Sequence, residues 1–212
     1  ILAALPAAAT LNIFACEPEW GALAQELAGD KASVYSATTA LQDPHRIEAK
    51  PSLIAAVRDA DLLICTGADL EVGWLPLLLR RSGNEQVRPG QPGYFMAADF
   101  VRKLELPDRL DRAEGDIHPQ GNPHVHLNPH NIERIAKALA ERLAQIDPSR
   151  SKDYQLLQSD FLMRWETATA AWESAAADLA GLRLVSHHRG FTYLADWLHL
   201  DIMDGSFVPP IT

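Results

Sequence analysis

The stretch RSKDYQLLQSDFLMRWETATAAWESAAADLA (residues 150–180) contains neither glycine nor proline and decides how the chain is organised. Apolar and aromatic side chains recur along it at spacings of three and four residues. They are Tyr154, Leu157, Phe161, Trp165, Ala168 and Trp172. This period predicts a helix. About 30 residues at about 1.5 Å each would span roughly 45 Å. Such a length exceeds what one small lobe needs, so we expect the helix to run between two lobes.

Strand and helix patterns alternate in the part of the chain that precedes this helix. Apolar runs predict strands in LNIFAC (11–16), ASVYSAT (32–38), DLLICTG (61–67) and GQPGYFMAADFV (90–101). Helical periods separate the first three strands, and Ser52 is the expected N-cap of the second helix. The fold class that this order predicts is α/β with parallel sheets.

The later segments suggest one more helix of the first lobe and a short second lobe. HVHL (124–127) has the alternation of a short strand, and Asn128 followed by Pro129 is typical of a helix start. After the long helix, LRLVS (182–186) predicts a strand and TYLADWLHL (192–200) a helix. The expected divisions are a signal-peptide remnant (1–10), an N-terminal α/β lobe (11–147), the interlobe helix (148–181) and a partial C-terminal lobe (182–212).

Composition narrows the class of partner. The 212 residues include 47% hydrophobic and 22% charged residues, which is enough apolar material for a packed core, and the formal net charge is -9. An acidic chain has no electrostatic reason to bind nucleic acid or anionic lipid, and we expect a monomer. The apolar start ILAALPAAATLNIF, with an A-x-A end near residues 7–9, predicts export to the periplasm behind a signal peptide. An ordinary apolar N-terminus is the alternative.

The two cysteines, Cys16 and Cys65, each end an apolar strand-like run. A disulfide is possible if the two strands are neighbours in one sheet, and an oxidising compartment would permit it. Two buried free thiols explain the pattern equally well.

Histidines cluster in three loop-like places. They occur in DPHRIEAKPS as His45, in GNPHVHLNPH as three residues beginning with His124, and in LVSHHRGF as His187 and His188. Ligands collect at the carboxyl ends of strands in open α/β sheets, and imidazoles from three loops there would suit Zn²⁺. The other histidines, His118, His126, His130 and His199, are expected to be solvent-exposed, although His126 could assist His124 if the segment is extended.

The order DPHRIEAKPS, ADLLICTGADLEVGWLP, GNPHVHLNPHN and VSHHRGFTYLADWL resembles the periplasmic zinc- or manganese-binding proteins of ABC importers. The resemblance covers residues 11–200. It implies two α/β lobes joined by a long helix, no catalytic step, and delivery of the ion to a membrane permease. It also implies metal ligands at His45 and His124, and the spacing to Phe191 and Tyr193 assigns the third to His188. Imidazole ligands favour Zn²⁺ over Mn²⁺, and binding should weaken below about pH 6.

The end of the chain departs from that family. LHLDIMDGSFVPPIT replaces the expected continuation, so the second lobe is expected to be incomplete. About 18 residues here locally resemble ribulose-phosphate 3-epimerase, in which His199 and Asp201 would be functional, but the rest of the chain does not suggest a barrel. Two alternative functions are a zinc hydrolase with Glu48 as base and a metal-binding, adhesin-like module.

Overall fold

A computed structural model describes residues 10–107, 118–186 and 189–203. Three sequence predictions lie outside these residues. They are most of the signal-peptide remnant, the epimerase-like segment from residue 204 onward, and the histidine pair His187 and His188.

The larger sheet has four parallel strands in the order β2-β1-β3-β4. The strands are β1 (Leu11–Ala15), β2 (Ala32–Ser36), β3 (Leu62–Cys65) and β4 (Tyr94–Met96). They are connected through α1 (Pro18–Ala28), α2 (Pro51–Arg58) and α3 (Leu75–Ser82). Ile13 in β1 lies opposite Val34 and Leu62 in the neighbouring strands. The predicted α/β class with parallel sheets is therefore confirmed.

Helices cover both faces of this sheet. In β1, Ile13 and Ala15 point into a core formed with α1, α4 (Pro129–Ile146) and α5 (Ser151–Ala176). Phe14 and Cys16 point to the other face, where α2 and α3 pack. The central strand β3 is buried along its whole length and is continuously apolar, whereas the edge strand β2 is largely exposed and contains serines.

The long helix predicted from residues 150–180 is confirmed as α5, with 26 residues, followed by a 3₁₀ turn at Ala177–Leu179. It packs along α1 and α4. Tyr154 and Phe161 are buried, whereas Trp172 near the far end is 44% exposed. Within the described ranges, no helix combines the length and the apolar character that a bilayer crossing requires.

A second, smaller parallel sheet follows α5. It contains β5 (Arg183–Val185) and β6 (Asp201–Met203), with α6 (Thr192–Leu198) between them. Leu184 pairs with Ile202, and both strands are largely exposed. The domain boundaries given above remain a prediction.

The cysteines at the ends of β1 and β3 form a disulfide, with their Cα atoms 4.7 Å apart. Neighbouring parallel strands bring the two residues together, and Cys16 donates its backbone N–H to the Ile64 carbonyl at 2.8 Å. The bond closes a sequence separation of 49 residues. In the chain-entropy model, a loop of that size contributes roughly 4 kcal/mol to the free energy of unfolding.

Two local predictions are wrong. Ser52 is not an N-cap, because Lys50 precedes the helix in extended conformation and Pro51 occupies the first helical position, which its fixed φ suits. HVHL is not a strand, because Val125–Leu127 forms a 3₁₀ turn. The turn buries Val125, and the side chain of Asn131 donates to the Val125 carbonyl at 3.1 Å. A single buried valine in a four-residue segment is compatible with a turn as well as with a strand.

Candidate metal centre

The loop that follows β2 presents His45 in a fixed orientation. Its backbone N–H and its ring Nδ1 both lie against Asp43 Oδ1, at 3.0 and 2.8 Å. The Trp74 indole donates to the Pro44 carbonyl at 2.8 Å and anchors the same loop from the buried side. With the proton held on Nδ1 by the carboxylate, Nε2 carries the lone pair that a metal ion requires.

Asp43 is suited to this orienting role. Burial pushes the pKa of its carboxyl upward, but the hydrogen bonds from His45 and the nearby charge of Arg46 outweigh burial and lower that pKa. Asp43 is therefore ionised at neutral pH. An ionised carboxylate behind a ligating imidazole raises its basicity and fixes its ring.

His118 lies beside His45, which the sequence did not lead us to expect. The two Nε2 atoms are 3.2 Å apart, and the ring centroids are separated by 5.2 Å. Two nitrogens bound to one tetrahedral Zn²⁺ at about 2.0–2.1 Å would be about 3.3–3.4 Å apart. The observed spacing thus suits either a hydrogen bond between neutral rings or two ligands of one cation.

Asn122 orients the second predicted ligand. Its side-chain oxygen lies 2.9 Å from both the backbone nitrogen and the ring Nδ1 of His124. Its Nδ2 donates to the Arg189 carbonyl at 2.6 Å and to Glu105 Oε2 at 2.8 Å. One buried amide therefore fixes the His124 ring and ties its loop to the segment that precedes α6.

Tyr193 strengthens the same connection. This buried hydroxyl donates to the Asn122 carbonyl at 2.9 Å and accepts from the Leu104 N–H at 3.0 Å. Burial raises the pKa of Tyr193, so it remains a neutral donor. The first residues of α6 are thus joined to the His124 loop by three side chains, those of Asn122, Tyr193 and Thr192.

His126 is partly buried rather than solvent-exposed, which corrects the expectation from sequence. Its ring meets Trp20 edge-on, with centroids 6.4 Å apart, and its Nδ1 lies 3.5 Å from Glu19 Oε1. Burial lowers the pKa of His126, and the nearby Glu19 charge opposes that shift only in part. The ring is therefore neutral at pH 7, and it is 6.4 Å from the His124 ring.

The structure therefore brings His45 to His118 and His124 to His126. His130 and His199 are exposed as expected. The third predicted ligand, His188, lies outside the described residues. Sequence reasoning missed His118, because 73 residues separate it from His45. It also missed Asn122, although an acceptor two residues before a histidine, as in both DPH and NPH, is a usable signal.

Comparison with known proteins gives one family. The family model described as "Zinc-uptake complex component A periplasmic" matches residues 13–209. The metal ABC transporter substrate-binding lipoprotein ScbA of Streptococcus cristatus is 26% identical over 148 residues, or 68% of this chain and 44% of the relative. The manganese ABC transporter substrate-binding lipoprotein PsaA of Streptococcus pneumoniae serotype 4 is 28% identical over 136 residues, 63% of this chain and 41% of the relative. The chain thus spans less than half the length of either relative.

Solved structures agree on the fold. A ZnuA deletion mutant with zinc bound superimposes with a TM-score of 0.77 at 24% identity, covering 92% of this chain and 69% of that one. Zn(II)-bound AdcA from Streptococcus pneumoniae gives a TM-score of 0.70 at 21% identity, covering 92% and 40%. Because the family model matches nearly the whole chain, the protein belongs to the ZnuA family of metal solute-binding proteins.

Proposed function

We propose that this chain captures a divalent metal ion outside the cytoplasm, and that the whole protein delivers the ion to the membrane permease of an ABC importer. Membership of a family described as periplasmic supports the location and the role. The relatives named above are metal ABC transporter substrate-binding proteins. Delivery is proposed for the whole protein, since the chain covers less than half of those relatives.

The proposed ligands are His45, His124 and His188. The observation that carries this proposal is the matched presentation of the first two rings. Each has its Nδ1 held by a side-chain oxygen two residues earlier, Asp43 or Asn122, at 2.8 or 2.9 Å. Such partners are typical of metal-ligating histidines, because they fix the tautomer and the ring. His188 directly precedes Arg189, whose carbonyl accepts from Asn122.

His118 is proposed to share the ion with His45 at some stage of capture. The 3.2 Å between the two Nε2 atoms is close to the spacing of two nitrogens on one zinc ion.

Zinc is the proposed cargo. The candidate ligands are imidazoles, which suit Zn²⁺ better than Mn²⁺, a cation that prefers more oxygen ligands. The relatives include proteins named for manganese and structures with zinc bound, so the family alone leaves the choice of metal open.

The family consists of solute-binding proteins rather than enzymes, and the hydrolase alternative finds no support at the site. Glu48, its proposed base, is an exposed side chain beyond His45 in the same loop. A scavenger needs closed coordination by protein side chains, whereas a hydrolase needs an open position for water.

The test is a zinc titration by calorimetry against a competing chelator. The wild type should bind one Zn²⁺ per chain. His45→Ala should lose more than the roughly 10–100-fold that follows removal of an outer partner. His130→Ala removes an exposed ring of the same motif, which pairs with Glu173 at 3.1 Å, and should leave the affinity unchanged. Equal affinities for the two variants would refute the proposed site.

A further inference from the structure

A second group of potential metal ligands lies in the core, at the carboxyl ends of β1 and β3. Cys16 and Cys65 are fully buried, and Glu71 is 3% exposed. The two sulfurs and a Glu71 carboxylate oxygen lie within 4.8 Å of one another. In the disulfide the sulfurs are poor ligands, because the thiolate is the form of cysteine that binds metal.

The carboxylate of this group is held in place by the backbone. Glu71 accepts hydrogen bonds from the N–H groups of Thr66 at 2.8 Å and Gly67 at 3.1 Å. Both donors belong to the turn that directly follows Cys65. The position of the carboxylate is therefore set by hydrogen bonds from the loop rather than by a bond to the sulfurs.

A neighbouring carboxylate has an unused buried oxygen. Glu17 follows Cys16 and is 2% exposed. Its Oε2 accepts from the backbone N–H and the hydroxyl of Thr66, at 3.1 and 3.0 Å. Among the described residues, its Oε1 has no hydrogen-bond partner. A buried carboxylate oxygen without a partner is costly, and it is stabilised by a proton or by a cation.

We propose that reduction of the Cys16–Cys65 disulfide creates a second cation site, in which the two thiolates and the Glu71 carboxylate bind a soft or borderline divalent cation such as Cd²⁺ or Zn²⁺. Glu17 follows Cys16 in the chain and is held near Glu71, because both carboxylates accept a hydrogen bond from the Thr66 N–H. Thiolates with one or two carboxylates form a ligand set that such ions accept. The site is separate from the histidines, and it does not depend on the proposed uptake function.

The chemistry balances with an external reductant. A phosphine attacks one sulfur, the S–S bond breaks, and water supplies the oxygen of the phosphine oxide and the two protons of the thiols. Binding of the dication then releases both thiol protons to solvent. The sulfurs must move to about 3.8 Å apart, the distance set by two Zn–S bonds of about 2.3 Å at a tetrahedral angle.

The experiment uses the full chain carrying His45→Ala and His124→Ala, so that the histidine site does not compete. This parent is reduced with tris(carboxyethyl)phosphine, freed of excess reductant without air, and titrated with Cd²⁺ alone. We expect a thiolate-to-cadmium charge-transfer band in the ultraviolet that saturates at one Cd²⁺ per chain. The oxidised parent should give no band.

Glu71→Gln in the same parent distinguishes a site that includes the Glu71 carboxylate from binding by the two thiols alone. Glutamine keeps an oxygen that can accept from Thr66 but removes the charge, so Cd²⁺ affinity should fall at least tenfold while the band persists. Glu141→Gln, an exposed change on α4, should titrate like the parent. A parallel Cys16→Ser variant keeps one thiol and should give a weaker band that needs more Cd²⁺ to saturate.

Two checks keep the outcome decisive. Thiol counting in denaturant must give two thiols per chain, and circular dichroism must show that the reduced chain remains folded. The proposal is overturned if the folded, reduced chain gives no band, or if Glu71→Gln binds Cd²⁺ as tightly as Glu141→Gln. It is also overturned if reduction unfolds the chain, because the carboxylate would then no longer be held beside the sulfurs.

Discussion

At the scale of single residues, side-chain acceptors two positions before a histidine do most to define the candidate centre. Asp43 fixes His45 and Asn122 fixes His124, through the same short loop geometry. The sequence predicts both histidines as candidate ligands, since each lies in a proline-containing loop, and that assignment stays a prediction. It could not identify His118, because nothing local indicates that this ring meets His45 across 73 residues.

Asn122→Ala should weaken zinc binding by roughly 10–100-fold. The change removes the acceptor of the His124 ring and the donor to the Arg189 carbonyl, so one ligand loses its tautomer and its orientation. Asn84→Ala is the matched control. It also removes a side-chain amide that donates to two carbonyls, those of Val57 and Ala60, and accepts from the Gln86 N–H, but it makes no contact with a histidine in these bonds. Calorimetry on both variants tests the claim, and similar affinities for both would contradict it.

At the scale of elements, the sequence pattern predicted the helices and strands that pack into the core. The helices α4 and α5 bury stripes with a helical period, and the strands β1 and β3 are short apolar runs buried in the sheet, so their sequence patterns are strong. HVHL was mistaken for a strand because four residues are too few to distinguish two periods. Gly93, just before β4, lies close to the backbone of other segments. This contact leaves no periodic pattern in the sequence and was not predicted.

Gly93→Ala should prevent β4 from pairing properly. A Cβ at this position would lie 2.5 Å from the Gln86 carbonyl oxygen and 2.6 Å from that of Asp61, and both are backbone atoms that cannot move aside cheaply. Gly93 also accepts from the Leu63 N–H at 2.8 Å, so a shift there disturbs β3. We expect a loss of several kcal/mol in the free energy of unfolding, measured by denaturant titration.

Gly83→Ala is the control for this change. Gly83 ends α3 with a φ of 70°, but a Cβ there would meet open space. The expected cost is about 1 kcal/mol, from the left-handed backbone alone. The steric account of Gly93 is wrong if the two alanine variants are equally stable.

At the scale of the whole molecule, the fold buries the side chains of Glu17 and Glu71 near the C-terminal ends of strands β1 and β3. Burial raises the pKa of Glu71 from 4.5 to about 7. Burial and then the charge of Glu71 raise the pKa of Glu17 well above its usual range. No local pattern in the sequence indicates this pair, because only the three-dimensional fold places residues 17 and 71 around Thr66.

These shifts make stability depend on pH. A carboxyl with a raised pKa in the folded state favours folding while it is protonated, so its contribution is complete below about pH 4.5 and is lost as pH rises through about 7. For Glu71 alone the loss is on the order of 3 kcal/mol. His126, whose pKa is lowered, contributes in the opposite sense, with stability that is lost as pH falls below about 6.5.

Glu17→Gln isolates the effect of the acidic pair. Glutamine is neutral at all pH values, so the loss of stability between pH 5 and pH 8 should be clearly smaller than in the wild type. Urea titrations at both pH values provide the measurement, and the His126 contribution cancels in the comparison. Glu141→Gln, an exposed change, should follow the wild type. If Glu17→Gln follows it too, then Glu17 is not the titrating group.

Zinc binding should weaken as the solution is acidified below about pH 6.5, because imidazoles must lose their protons to bind the ion. If three histidines are ligands, up to three protons compete, and the apparent affinity should fall steeply below pH 6. Competition titrations at several pH values measure the slope. An affinity that does not change between pH 7.5 and pH 5.5 would exclude imidazole ligands.

The central claim is that histidines from distant parts of the chain bind one cation, and X-ray absorption spectroscopy of the zinc-loaded protein tests it most directly. We predict a first shell dominated by imidazole nitrogens at about 2.0–2.1 Å, with at least three rings in the wild type and one ring fewer in His45→Ala. A shell of oxygen or sulfur without imidazole scattering, or a His45→Ala spectrum identical to that of the wild type, would contradict the claim.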